Sequence, residues 1–210
     1  MPPLSLSLVI IIATCLISLY ALSRPQLIEE FKFNPYMIWH KRQWYRMVTM
    51  VFLHADLMHL IFNMLALYSF GAVVEHTFSS KDIYGPLGGV VYVVFYFAAA
   101  IAANIFNLIK HRDNYSYSAV GASGAISAVL FAFILFYPTS TGIMIFFLPT
   151  DNLPVWTIGL GFLVISTILS YVGTTRVDHM AHFWGAMFGL VFPIVLQPWL
   201  FTRFLSLIIS

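Results

Sequence analysis

Six runs of mostly apolar residues follow one another along the chain, at positions 4–22, 57–74, 87–109, 118–137, 153–171 and 180–200. A spanning helix needs about 20 such residues. The pattern therefore predicts an all-α polytopic membrane protein with six transmembrane helices in one membrane domain over residues 1–210. The first run lacks a charged flank before it and is long for the core of a signal peptide, so it reads as a retained anchor. No stretch outside the six runs reads as a soluble domain, and no internal repeat is visible. The segment 23–56 is the longest connection and mixes charges with Phe31, Phe33, Tyr36, Trp39, Trp44 and Tyr45. Such aromatics favour the membrane–water interface, so this segment is expected to lie in it. The apolar patch 143–148 between runs four and five could rest there too. Pro193 and Pro198 are expected to kink or end the last helix.

Composition agrees with this pattern. The chain is 60% hydrophobic and 9% charged, against about 25% charged in soluble proteins. A net charge of +2 gives no basis for a nucleic-acid partner, and the natural partner is membrane lipid. The single cysteine, Cys15, excludes an intrachain disulfide and reads as packing.

Polar residues inside these runs call for a reason, because they are expensive in lipid. Even-numbered spans run in the same direction. His59 and Asn63 open run two, Ser123 lies early in run four and His182 opens run six. All four should share one leaflet, about 3–10 Å deep at 1.5 Å per residue. His59 and Asn63, four apart, share a helix face; His54 points elsewhere. His182, Gly185 and Gly189 form another face, and Gly121, Ala122, Gly124, Ala125, Ser127 and Ala128 supply small residues opposite it. Small residues let two membrane helices approach closely, which would bring the Ser123 hydroxyl to a His182 nitrogen. Nucleophile, base and two further donors then lie together.

In these features the chain resembles the rhomboid family of intramembrane serine proteases, with the bacterial-type six-helix core. The motifs are Tyr45-Arg46 with Thr49, His54-x4-His59-x3-Asn63, Gly71 and Glu75, Gly121-x-Ser123-Gly124, and Ala181-His182-x2-Gly185-x3-Gly189. The resemblance implies an endopeptidase that cuts single-span membrane proteins in or near their transmembrane segments. It implies a dyad without a third acid: Ser123 as nucleophile and His182 as general base and acid, with His59, Asn63 and the Ser123 N–H holding the oxyanion. His54, Arg46 and Glu75 correspond to structural polar positions, and Gly121, Gly124, Gly185 and Gly189 to helix packing. No cofactor is called for. Ser127 stands where many members carry an aromatic that stacks on the base, so the orientation of His182 must rest on other packing. Tyr45 stands where a tryptophan is common.

Other readings are weaker. Asp178, four residues before His182, is assigned to the aqueous loop with Arg176 and not to a triad. His179 and His182 suggest a metal, but there is no HExxH motif and no carboxylate on the turn of His59, so no metal site is expected. The alternative function is a non-catalytic membrane protein, either a substrate-binding pseudoprotease or a small transporter. A transporter would show paired halves, which are not visible. The resemblance places the chain in a bacterial inner membrane with the site facing the outer leaflet. Basic residues disagree: Arg24, Lys32, Lys41, Arg42, Arg46, Lys110, Arg112 and Arg176 lie on the long-loop side, and Lys81 and Arg203 on the other, whereas positive charge favours the cytoplasm. The fifth run, with Gly159, Gly161 and Gly173, is the candidate gate.

Overall fold

Apolar runs in lipid must satisfy their own backbone hydrogen bonds, and helices do so within one segment. A computed structural model describes residues 5–141, 144–145, 148–149, 152–172 and 178–209. Leu4, Ile143, Phe146, Phe147, Gly173 and Arg176, which figure in the sequence reading, lie outside the described residues. The main helices are α1 (Leu6–Leu22), α5 (Leu57–Phe78), α6 (Gly88–Lys110), α7 (Ser123–Phe136), α8 (Val155–Val172) and α9 (His179–Leu196). Short helices α2 (Pro25–Phe31), α3 (Pro35–Lys41) and α4 (Arg46–Thr49) lie between α1 and α5, and α10 (Trp199–Ile209) ends the chain. Two short strands, β1 (Met144–Ile145) and β2 (Leu148–Pro149), pair antiparallel.

The six apolar runs thus become six helices in the expected order, but not six equal spans. Among the described residues, three segments are long and apolar enough to cross a membrane: Leu57–Phe78, Gly85–Lys110 and His179–Leu196. The segments Leu6–Leu22, Ser123–Phe136 and Val155–Leu169 are apolar but shorter. Two boundaries differ from the sequence reading. Residues 118–122 are not helical: Ala119 pairs with Phe33 as an isolated bridge, and the Gly121 N–H donates to the Met50 carbonyl. The last run breaks at Gln197, because Pro198 cannot continue a helix ladder, and α10 follows as a separate helix. Pro193 is accommodated within α9.

The segment 23–56 packs on the protein. Phe33 and Ile38 are fully buried, while Trp39, Trp44 and Tyr45 face outward. Asn34 caps α3 by accepting from the Met37 N–H at 3.0 Å, and its amide donates to the Tyr115 carbonyl at 3.0 Å. Arg46 is buried; its guanidinium donates to the carbonyls of Glu29 and Lys32, both at 2.9 Å, and to Gln43 Oε1 at 2.6 Å. It thereby satisfies carbonyls at the open end of α2. Thr49 Oγ1 donates to the Phe31 carbonyl at 2.8 Å.

The centre of the bundle is α7. Twelve of its fourteen residues are buried, and α5, α6 and α9 pack around it. Small residues allow the closest approach. A Cβ on Gly185 would lie 2.1 Å from the Gly124 carbonyl oxygen, and one on Gly189 2.2 Å from that of Ala128. Helices α7 and α9 therefore meet backbone to backbone. On the other side, α1 lays Ser7, Ile10, Thr14, Ser18 and Ala21 against the core, and Gly71 of α5 makes room for Ser7 and Tyr92. Glu75 closes this contact. Its carboxylate accepts from Ser5 Oγ at 2.6 Å, from the Leu6 N–H at 2.8 Å, and from both the N–H and Oγ of Ser7 at 2.9 Å. It caps the start of α1 from a different helix, where the helix dipole also favours negative charge.

Two stability effects follow. Gly185→Ala forces a Cβ onto backbone and should destabilise the protein by at least about 1–3 kcal/mol. Gly161→Ala meets nothing within 4 Å and should be neutral or slightly stabilising, by up to about 1 kcal/mol. Unfolding in detergent titrations reads both, and equal effects would contradict the packing described. Glu75→Ala should cost about 1–2 kcal/mol in the same titration, through loss of the α1 cap.

Candidate active site

The site forms around the start of α7. Asp56 is the N-cap of α5 and accepts from the His59 N–H at 2.8 Å, which fixes His59 in the first turn. Asn63, one turn further, is buried and donates from Nδ2 to the His59 carbonyl at 2.9 Å. The depth of Ser123 follows from the other end of the bundle. Thr77 of α5 and Tyr137, just beyond α7, share a hydrogen bond of 2.8 Å. Fourteen residues back from each partner stand Asn63 and Ser123, which by count alone puts the two within about one turn of the same level. That level is six residues, or about 9 Å, inside the start of α5.

The shortness of α7 causes this recess. Fourteen residues make about 21 Å of helix, against about 33 Å for the twenty-two of α5. Ser123 is the first residue of α7, and Ala122 supplies no side-chain cap. The first N–H groups of a helix have no partner within it, so the amides of Ser123 and its successors have none within α7, and the dipole at that end favours a developing negative charge. Gly121 has φ +121°, and a Cβ there would lie 2.8 Å from His59 Cε1 and 2.9 Å from Nε2. Gly121 is thus not a helix-packing residue, as the sequence suggested. It turns the chain into α7 directly beneath the His59 ring, where a side chain has neither the space nor the dihedral angle. Gly124 does pack helices, against Ala103 and Ala181.

His182 lies one turn before Gly185 on the α9 face that meets α7. Its Nε2 is buried without a hydrogen-bond partner among the described residues, and it lies within electrostatic range of His59. No hydrogen bond between Ser123 and His182 is present among the described residues. The structure therefore groups Ser123, His59, Asn63 and His182 around the start of α7, with no direct bond between Ser123 and His182 among the described residues. His54 stands behind them: its Nδ1 meets Ser18 Oγ at 3.2 Å, and its ring is edge-on to His59 with centroids 5.0 Å apart. Arg46 and Glu75 lie away from the recess, in the supporting contacts already described.

Three features were not read from the sequence. Asp178 is the N-cap of α9 and accepts from the Ala181 N–H at 3.1 Å, from Asn107 Nδ2, and from the Tyr117 hydroxyl at 2.8 Å. Its position directly before an apolar run was a legible capping signal. Ser127 Oγ donates to the Ser123 carbonyl at 2.9 Å. Phe162 of α8 stacks on the His182 ring, with centroids 5.8 Å apart and planes at 29°. One phenylalanine among many in an apolar run gives no sequence signal of that kind.

A family model for the Rhomboid domain matches residues 41–199, which include every residue of this recess. RHOMBOID-like protein 12, mitochondrial, of Arabidopsis thaliana is 28% identical over 75% of this chain and 49% of its own length. Rhomboid protease GluP of Bacillus subtilis (strain 168) is 27% identical over 70% of this chain and 25% of its own. Presenilin-associated rhomboid-like protein, mitochondrial, of Mus musculus is 31% identical over 69% and 36%. The chain thus spans between a quarter and a half of the length of these relatives. On the match of its apolar core and polar recess, the chain belongs to the rhomboid family.

Proposed function

We propose that this membrane protein is a serine endopeptidase that hydrolyses single-span membrane proteins in or near their transmembrane segments, with all six main helices crossing the bilayer. The observation that carries the reading is the level of Ser123. It opens a short helix about 9 Å inside the bundle, within about one turn of the level of Asn63 and beside His59 and His182. A similarity to a protein named a protease adds to it.

The chemistry follows from these groups. Ser123 Oγ attacks the scissile carbonyl carbon as its proton passes to His182 Nε2. The oxyanion is held by the Ser123 N–H, the His59 ring and the Asn63 amide, which has a second N–H beyond the one given to the His59 carbonyl. Such donors are worth about 3–4 kcal/mol each in other proteases. Collapse expels the amine, which takes the proton from His182. Water then attacks the acyl ester with His182 again as base, releasing the acid and restoring Ser123. The recess at the start of α7 is where that water enters.

Cleavage of a single-span substrate in proteoliposomes should fall at least about a thousandfold in Ser123→Ala and in His182→Ala, with folding retained. Full activity in either variant removes that residue from the mechanism. The missing Ser123–His182 hydrogen bond favours the second reading, a non-catalytic substrate binder. Failure of a fluorophosphonate to label Ser123 in folded protein would support it.

Relatives from Arabidopsis and mouse carry mitochondrial names and another comes from a bacterium, so the reading specifies a membrane side and no organelle. The site and the long 23–56 segment share the side away from the compartment that holds the amino terminus. Asp113 is fully exposed on that side, and its carboxyl is held below the usual range by hydrogen bonds from His40 and Arg112. With Cys15 replaced by alanine, Asp113→Cys should react with an impermeant maleimide in intact cells. Labelling only after lysis reverses the orientation.

A further inference from the structure

Among the described residues, no hydrogen bond from α9 or α7 fixes the ring of His182, the base in the protease reading. Ser127 is too small to stack on His182 and spends its hydroxyl on the Ser123 carbonyl at 2.9 Å. Asp178, the carboxylate nearest in sequence, is held by the Ala181 N–H, Asn107 and Tyr117. His182 Nε2 has no hydrogen-bond partner among the described residues. Two ring contacts surround the imidazole. His179 of the same helix stands edge-on at 88° with centroids 5.9 Å apart, and Phe162 lies nearly parallel to it.

Phe162 is itself held by packing. Gly159, one turn earlier on the same face of α8, is pressed against α7: a Cβ there would lie 2.6 Å from Ile134 and 3.5 Å from Phe131. Phe131 also meets the Phe162 ring, with centroids 5.9 Å apart and planes at 49°. The close approach at Gly159 thus seats α8 so that its next turn delivers a ring to the base. Offset stacking of this kind adds to what area burial alone supplies and so favours one imidazole orientation over the others.

Resting on the protease reading, we propose that Phe162 is the positioning residue for His182, supplying from α8 the stacking face that Ser127 does not supply from α7. It acts through the base and makes no bond to substrate. Its removal therefore slows the chemical step and leaves substrate affinity in place.

The test compares Phe162→Leu and Phe162→Tyr with wild type by two readouts. The first is cleavage of a single-span substrate in proteoliposomes, resolved into kcat and KM. Phe162→Leu should lower kcat about tenfold with KM within about twofold, and Phe162→Tyr should keep both near wild type. The second is the His182 ring proton resonance in histidine-labelled protein, assigned by its loss in His182→Ala. The stacked ring should shift it upfield in wild type and in Phe162→Tyr, but not in Phe162→Leu. A wild-type kcat in Phe162→Leu, or a rise in KM alone, overturns the positioning role. So does a His182 resonance that does not respond to Phe162→Leu. If the resonance responds as expected while wild type neither cleaves nor labels with a fluorophosphonate, the stack stands as geometry. The protease reading then fails, and the positioning role fails with it.

Discussion

Everything in the recess depends on how closely α9 approaches α7. In lipid no hydrophobic force draws two apolar helices together, so association rests on close packing and on hydrogen bonds. The Gly185–Gly124 and Gly189–Ala128 contacts bring backbone against backbone, and His182 lies on the same face one turn away. Because α7 is nearly surrounded by α5, α6 and α9, it can be short without exposing its ends to lipid. That shortness sinks Ser123 below the start of α5, and the uncapped first turn leaves amides without partners within α7. The position of Ser123, the free amides of its turn and the placing of His182 therefore arise from one packing arrangement.

The polar groups outside the recess answer a different demand of the same solvent. Helix ends within a membrane protein leave backbone groups that water cannot reach. Glu75 caps α1 from α5, Arg46 collects carbonyls at the end of α2, and Asp178 caps α9 while tying it to Asn107 and Tyr117. Each of these residues joins an open end to a neighbouring element, so the ends of the helices are fixed relative to one another. The carboxylate of Asp178, four residues before His182, is occupied by these bonds at the start of the helix, and no hydrogen bond between it and His182 is present among the described residues.

Much of this was legible because lipid makes sequence patterns blunt. Six apolar runs gave six helices, three of them long and apolar enough to cross a membrane among the described residues, and counting directions set the expectation that His59, Asn63, Ser123 and His182 lie near one end of the bundle, with which the packing of Gly121 against His59 agrees. Where the reading failed, the deciding force was local geometry. Gly121 belongs to a turn with positive φ, which a run of small residues does not reveal. Residues 118–122 are apolar enough to continue a helix, yet their backbone bonds go to Phe33 and Met50. The short helices of 23–56 were hidden by an aromatic composition that fits either a membrane surface or a folded segment, and burial of Phe33 and Ile38 favours folding.

The stacking of Phe162 on His182 has a consequence for how the site is built. A stacking partner on α7 would hold the base within the tightest helix pair of the bundle. Here that partner comes from α8, whose Leu160, Val164, Ile165 and Ile168 face outward and whose packing is chiefly on α9. In the protease reading, the orientation of His182 is then tied to the seating of an outer helix. Gly159 fixes that seating where it meets Phe131 and Ile134, whereas Gly161, with open space around it, does not. A displacement of α8 large enough to separate Gly159 from α7 would also withdraw the ring from His182. In the protease reading, the order of His182 and the packing of α8 are thus linked through one glycine and one phenylalanine three residues apart.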